Sequence, residues 1–428
     1  MNKNPLHTYA GLPREVYYLF AARLTTAMGS FIFPLLTLIL TQKLSLSTAK
    51  AGNLISILML SQAPCLMLGG KLADTIGRKK LLVFSQFTSA LFFLLCAFQP
   101  TNRWLVLNVV LAADIGVMAH PTSDALLADL VTPEQRKSAY SLLYFGINLG
   151  MAFSMILGGM LFQNHLKLLF FLDAFTTILC TLIILFRVKE HYRTPHAAQE
   201  AALSDVALEK RGSPEIGDGA DNASAAPGRI PSLAEVLRAA PILIWFVLLT
   251  ALFDFCYSQF NFMLPAQMGT LYGAHGAKMY SMLSAANCIT VIALTPTVTS
   301  VANRFTPLTT FALSGVLFAA GYLGFSTSRW MWLFVVSAVV FTVGEILSAI
   351  QTGTFIASHT PATCRGRVTA FNSLIRGAGS GIAPSIMGSV LALAGYRKSW
   401  LIVAAIALCG AAGMWLLRRL ERSEPPVH

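Results

Sequence analysis

The chain has 428 residues, of which 55% are hydrophobic and 12% charged, and its formal net charge is +12. Soluble domains carry about 25% charged residues, so this composition excludes an ordinary soluble enzyme. In so apolar a chain the basic excess belongs to loops on the cytoplasmic side of a bilayer and does not indicate a nucleic-acid partner.

Crossing the hydrocarbon core takes about 20 apolar residues per helix. Residues 16–41 form the first such stretch. They are too long for a signal-peptide core and no small-residue cleavage site follows, so the segment is read as a retained span. Further spans are expected at 50–71, 80–98, 104–130, 137–162, 168–187, 241–269, 278–300, 307–326, 330–357, 367–394 and 398–418. Together they predict an all-α integral membrane fold of twelve transmembrane helices with both termini on one side. Twenty-one Lys and Arg residues fall on the side of the termini and eight in the opposite loops, while Arg23 and Arg376 lie inside spans. Positive residues stay inside, so the termini are expected to be cytoplasmic and the protein multi-pass in the inner membrane.

Residues 188–240 are the one long polar stretch, with too little apolar content to order themselves. They are expected to be a mostly disordered cytoplasmic linker between an N-terminal six-helix bundle (1–187) and a C-terminal one (241–428). Ser232 to Ala240, at its end, reads as a short amphipathic helix on the membrane surface. Asn222-Ala223-Ser224 matches a glycosylation acceptor, which a cytoplasmic loop makes meaningless. The two halves echo each other at a shift of about 230 residues: Pro34 with Pro265, Pro64 with Pro296, Gly116 with Gly344, Thr132-Pro133 with Thr360-Pro361, Gly150 with Gly379 and Gly159 with Gly388. Parallel six-helix repeats are a transporter plan, with the substrate site between them near the midplane.

Seven cysteines fall mostly in apolar segments without metal spacing and read as small packed hydrophobes. No G-x-x-x-x-G-K-[ST] occurs, so nothing points to ATP. Gly377-Ala378-Gly379-Ser380-Gly381 lies in a span, not after a strand, and is no dinucleotide fingerprint. Neither a cofactor nor a metal is expected.

Between the second and third spans the chain reads Gly70-Lys71-Leu72-Ala73-Asp74-Thr75-Ile76-Gly77-Arg78-Lys79-Lys80. This resembles the signature G-x-L-A-D-x-x-G-R-K of the major facilitator superfamily, and the spans, central loop and half-repeat extend the resemblance over almost the whole chain. It implies two pseudo-symmetric six-helix bundles that move a small molecule by alternating access, as a monomer. Gly77 permits a tight turn and Arg78 can fork onto carboxylates. Asp74 ends the second span and Asp129, near the cytoplasmic end of the fourth, is a second candidate partner. In the family such a cluster latches the cytoplasmic ends; a static brace is the plainer alternative. The second-half counterpart, Ala302-Asn303-Arg304, lacks the carboxylate, so only the first half is expected to carry a full latch.

Ionisable groups inside spans cost several kcal/mol and are functional candidates. They are Arg23, Asp114, His120, Asp124, Asp173, Asp254, Glu345 and Arg376. Arg23 and Asp124 lie at matching depth, roughly 10 Å from the cytoplasmic ends of their helices, and are expected to pair, in either a structural or a gating role. Asp173, in a helix peripheral in the family, reads as packing or pairing, and His120 as a hydrogen-bonded interior residue. Asp114, Asp254 and Glu345 fall near the midplane, on helices that line the central cavity in the family. A carboxyl group in apolar surroundings favours its neutral form and can release its proton when water reaches it, which suits proton coupling. Glu345 ranks first, in Phe341-Thr342-Val343-Gly344-Glu345-Ile346, which resembles the tenth helix of proton-coupled multidrug exporters; Asp254 ranks second and Asp114 third. Arg376 could hold Glu345 or Asp254 ionised, or bind an anionic substrate. A satisfied buried pair is the plainer alternative for each.

Gln259-Phe260-Asn261-Phe262-Met263-Leu264-Pro265 also resembles drug exporters, some of which carry a carboxylate near Asn261. In the fifth span, Ser154 and Met155 replace the Gly and Pro of the antiporter signature. Phe31, Phe33, Phe253, Phe255, Phe260, Phe262 and Met263 suit varied amphipathic ligands, and lipid-facing packing equally well. The sequence is therefore read as a proton-coupled antiporter exporting small amphipathic compounds. A proton-coupled nutrient importer and a non-transporting receptor on a carrier fold remain alternatives.

Overall fold

The computed structural model describes residues 11–188, 233–327, 330–360 and 364–421; within them, the side chains of Asp74, Arg103, Ala125, Asp129, Pro133, Glu134 and Lys137 lie outside the description. Most of the expected linker, with Asn222-Ala223-Ser224, falls outside the described residues. Its end is the short helix α9 (Leu233–Ala239).

The first span is built from α1 (Arg14–Gly29), α2 (Ile32–Leu38) and a closing π-turn (Ile39–Lys43). The second is α3 (Thr48–Ile76) and the third α4 (Arg78–Phe98). The fourth is split into α5 (Arg103–Gly116) and α6 (Ala119–Leu130). The fifth and sixth are α7 (Pro133–Leu161) and α8 (Leu166–Arg187). Beyond α9 come α10 (Ile242–Tyr272), α11 (Gly276–Ala302), α12 (Pro307–Thr327), α13 (Met331–Ser358) and α14 (Arg365–Glu421).

Two helical stretches exceed one crossing. A straight helix the length of α14 would run about 85 Å against a hydrocarbon core of about 30 Å. The chain bends at Gly395, whose φ of +71° lies outside helical space. Both limbs return along α10: Gly379 abuts Ala251, while Gly410 and Gly413 abut Phe253 and Leu249. α10 and α11 likewise fold back through the tight turn at Gly273–His275.

The breaks in the first and fourth spans share a cause. Proline supplies no N–H to the carbonyl four residues earlier and crowds it. Pro34 frees the carbonyl of Ser30, and Pro121 that of Val117, and these are the two break points. Pro64, Pro265, Pro296 and Pro384 stay inside unbroken helices. At the first break the Phe31 N–H donates to the Gly29 carbonyl at 2.8 Å, the buried carboxylate of Asp173 on α8 stands near the Phe31 and Ile32 backbone, and Gly29 lets Thr176 of α8 approach closely.

Helices α1–α8 pack largely on one another and α10–α14 do the same, and the two bundles meet along the seams α3–α14, α7–α11 and α2–α10. The paired glycines occupy equivalent contacts. Gly116 and Gly344 face Ser89 and Ser314, which donate to the carbonyls of Ala112 and Gly344 at 2.7 and 2.6 Å. Gly150 faces α1 and Gly379 faces α10, while Gly159 faces α11 and Gly388 faces α3. These are the same contacts exchanged between halves.

Candidate functional site

The bundles are joined by hydrogen bonds near one end. Thr37 Oγ1 donates to the Asn261 carbonyl at 3.2 Å, Gln42 Nε2 to the Gly273 carbonyl at 3.0 Å and Thr48 Oγ1 to the Gly388 carbonyl at 3.4 Å. The Ser385 N–H donates to Ser56 Oγ at 2.9 Å, and Ser385 Oγ to Asn53 Oδ1 at 2.5 Å. All five lie toward the end that carries the loops at 44–47 and 273–275. Toward the other end α6 makes its principal contacts with α1, α3, α4, α5 and α7 of its own bundle. Gly366 and Gly377 of α14 have no atom near where a Cβ would stand. The two bundles therefore converge at the first end and part toward the second.

The signature motif lies at the parted end. Gly77, at φ +98°, makes the turn between α3 and α4. Gly70 and Asp74 lie on the last two turns of α3, and Arg78 and Lys79 on the first turn of α4. Asp129 lies one residue before the end of α6, a helix that packs on both α3 and α4. The side chains of Asp74 and Asp129 lie outside the described residues, so the expected latch is placed by backbone alone.

Apart from Asp173, the intramembrane ionisable groups separate into four settings. Glu345 of α13 is bonded to neutral donors: Tyr257 Oη of α10 donates to Oε1 at 3.1 Å, and Asn287 Nδ2 of α11 to Oε2 at 2.8 Å. The same Asn287 amide donates to Thr342 Oγ1 at 2.8 Å. Phe341, one turn before Glu345, stacks on Tyr257 and Phe260. Arg376 of α14, expected to serve either Glu345 or Asp254, binds Asp254: Nη2 donates to Oδ1 at 2.9 Å and Nε to Oδ2.

In the first bundle, Asp114 of α5 accepts from Ser61 Oγ of α3 at 2.9 Å. Arg23 Nη2 of α1 donates to Asp124 Oδ1 of α6 at 3.1 Å. Beside that pair lies a cavity of about 240 Å³ within the bundle itself, lined by Arg23, His120, Ser123, Gln86, Met151 and others. His120 faces this space.

Sequence reading did not single out Tyr257, Asn287 or Ser61, the neutral groups that hold these carboxylates, or Thr342, which accepts from Asn287. Asn287 was the most detectable, as an amide in the middle of an apolar span.

The family model described as Major Facilitator Superfamily matches residues 18–293 and again 268–428. A Na(+), Li(+), K(+)/H(+) antiporter of Planococcus maritimus is 24% identical over 411 residues, covering 91% of this chain and 92% of that protein. The multidrug resistance protein MdtH of Cronobacter sakazakii is 26% identical over 167 residues, covering 38% of this chain and 41% of that protein. Among solved structures, a POT family transporter in complex with a thioalcohol-conjugated peptide aligns with a TM-score of 0.75 at 12% identity, covering 96% of this chain and 97% of that one. At that identity the likeness is one of fold.

Proposed function

The chain belongs to the major facilitator superfamily, and from that premise we propose that it is a proton-coupled antiporter exporting small amphipathic compounds by alternating access. It is a membrane transporter; the coupling, the direction and the substrate are our reading. We place it in the cytoplasmic membrane as a monomer with cytoplasmic termini, so the parted end faces the cytoplasm.

Glu345 carries the reading. It is half-buried in the second bundle and its hydrogen-bond partners are neutral, unlike Asp254, whose charge Arg376 offsets. An uncompensated charge inside a membrane bundle costs several kcal/mol, and taking up a proton removes that cost. A carboxyl group so held exchanges a proton whenever one side admits water. The antiporter among the relatives supports proton exchange, and the multidrug resistance relative supports an amphipathic substrate. Asp254, Arg376 and Asp114 would then shape the cavity, and Asp74, Arg78 and Asp129 would gate the inner side.

A second reading is favoured by one observation. The relative that exchanges monovalent cations matches nearly the full chain, whereas the drug-resistance relative matches 38% of it. On this reading the exported species is an alkali cation.

The test is purified protein in liposomes under an imposed pH gradient, with lipophilic cationic dyes and with Na⁺, Li⁺ and K⁺, beside Glu345→Gln. Dye movement that dissipates the gradient and stalls in the variant supports the first reading; cation movement that does so supports the second. Gradient-driven transport retained in Glu345→Gln removes Glu345 from the coupling role. Movement of a nutrient together with protons makes the protein an importer.

A further inference from the structure

The cavity of about 240 Å³ inside the first bundle has a lining that transport between the bundles does not explain. Its walls come from α1, α4, α6, α7 and α8, and no described residue of α10–α14 lines it. A ligand held there lies off the path between the bundles. Most of the lining is apolar, with Leu82, Met151 and Ile184 among it. Four polar side chains converge on this apolar space: Arg23 of α1, Gln86 of α4, and His120 and Ser123 of α6. An apolar cavity with a few convergent polar groups is the usual form of a small-molecule site.

Three of the four find nothing in the protein to bond. Among the described residues, the side chains of Gln86, His120 and Ser123 make no hydrogen bond. His120, read from the sequence as a hydrogen-bonded interior residue, is therefore not one. Thr26 and Ser30, on the same wall, satisfy themselves within α1, donating to the carbonyls of Ala22 and Thr26 at 3.1 and 3.0 Å. Polar side chains lodged within a bundle normally have partners, so three without one around a single cavity point to a ligand. His120 is exposed at this cavity, which gives a ligand its way in.

Arg23 sets the charge of that ligand. It meets Asp124 through a single N–H, Nη2 to Oδ1 at 3.1 Å, whereas Arg376 holds Asp254 through two. The rest of its fork is available to a second carboxylate. Asp124 is 58% exposed, so water screens much of its repulsion for another anion. Among the described residues no carboxylate lines the cavity, so a cation entering it would meet Arg23 and gain no counter-charge. Size limits the rest of the ligand. A dry cavity of about 150 Å³ takes up benzene, so this one admits a single ring with a short polar group.

We propose that this cavity is a second ligand site, for a small carboxylate with a compact apolar body of single-ring size. Arg23 takes the carboxylate, Gln86, His120 and Ser123 supply further hydrogen bonds, and the apolar wall takes the ring. The site is independent of the Glu345 reading and of the substrate carried between the bundles.

The experiment titrates the full chain in nanodiscs with para-fluorobenzoate and follows its fluorine NMR signal. Unlabelled benzoate, benzamide and benzylammonium serve as anionic, neutral and cationic competitors. The expected result is saturable binding that benzoate displaces, benzamide displaces about tenfold more weakly and benzylammonium does not displace. Arg23→Gln should weaken binding by about tenfold or more. It leaves Asp124 to water and should fold, which its unfolding temperature without ligand checks. Arg23→Lys, which keeps the charge without the fork, should fall between Arg23→Gln and the parent. Arg376→Gln should bind as the parent does. The proposal is overturned if the parent shows no saturable binding, if Arg23→Gln binds as tightly as the parent, or if benzylammonium displaces the probe. Loss of binding in Arg376→Gln alone would place the probe between the bundles and overturn it as well.

Discussion

Arg376 and Asp254 are held by two hydrogen bonds between α14 and α10, Nη2 to Oδ1 at 2.9 Å and Nε to Oδ2. The fork geometry fixes the register of these helices as well as their charge balance. Removing one partner leaves the other charge uncompensated, which costs several kcal/mol in a sealed interior. Here the side chains are 35% and 17% exposed, so water repays part of the loss. Arg376→Gln and Asp254→Asn are each expected to lower stability by about 2 kcal/mol, and the double variant by less than either. Thermal unfolding in detergent completes the cycle. Additive losses would mean the two groups do not act as a pair.

Asp173 is expected to be a stability residue. Its buried carboxylate stands near the backbone at the start of α2, the place of an N-cap, although it comes from another helix. Loss of such a cap costs about 1 kcal/mol. Asp173→Ala should lower the unfolding temperature and leave the pH profile of transport unmoved. Asp173→Asn keeps an acceptor and should be the milder change. A shifted pH profile in Asp173→Asn would instead place this group among those that exchange protons.

These residues also show what could be read before the structure. The long apolar runs placed the helices within a few residues, because an apolar run of this length is satisfied only as a helix in lipid. Pro34 and Pro265 look alike in sequence, yet one breaks its helix and the other does not. At the broken one stands Asp173, more than 130 residues away in the chain. The candidate carboxylates were legible because charge is rare inside spans. Their partners were not: a Tyr, an Asn or a Ser in a span is ordinary, and only packing shows that Tyr257, Asn287 and Ser61 converge on Glu345 and Asp114. The paired glycines were legible as spacing, and their equivalent contacts explain why that spacing is kept.

The seam between α3 and α14 is expected to be one that opens in transport. Asn53 and Ser385 touch across it, and the backbone carbonyl of Thr48 sits where a side chain at Gly388 would have to go. Asn53→Cys with Ser385→Cys should cross-link readily and hold this end shut. Exchange should fall at least tenfold on oxidation and recover on reduction. Gly388→Val should act oppositely, wedging the seam and shortening the distance between labels at the other end. Transport undiminished by a complete cross-link would show that these helices stay together through the cycle.

The Arg23–Asp124 pair predicts an asymmetry. Its members differ in surroundings: the Arg23 side chain is 20% exposed and that of Asp124 58%. Exposed pairs contribute about 0–1 kcal/mol, so the contact itself is worth little. What matters is the group left behind. Arg23→Gln leaves Asp124 to water, and the expected loss of stability is below about 1 kcal/mol. Asp124→Asn leaves a guanidinium against the cavity with His120, among Leu19, Leu82 and Ile184, where no other carboxylate is bonded to it among the described residues. That loss should be the larger one, about 1–2 kcal/mol. Unfolding temperatures of the two variants decide the matter. The reverse ranking would mean that Asp124 is the more buried partner in the state that dominates in solution.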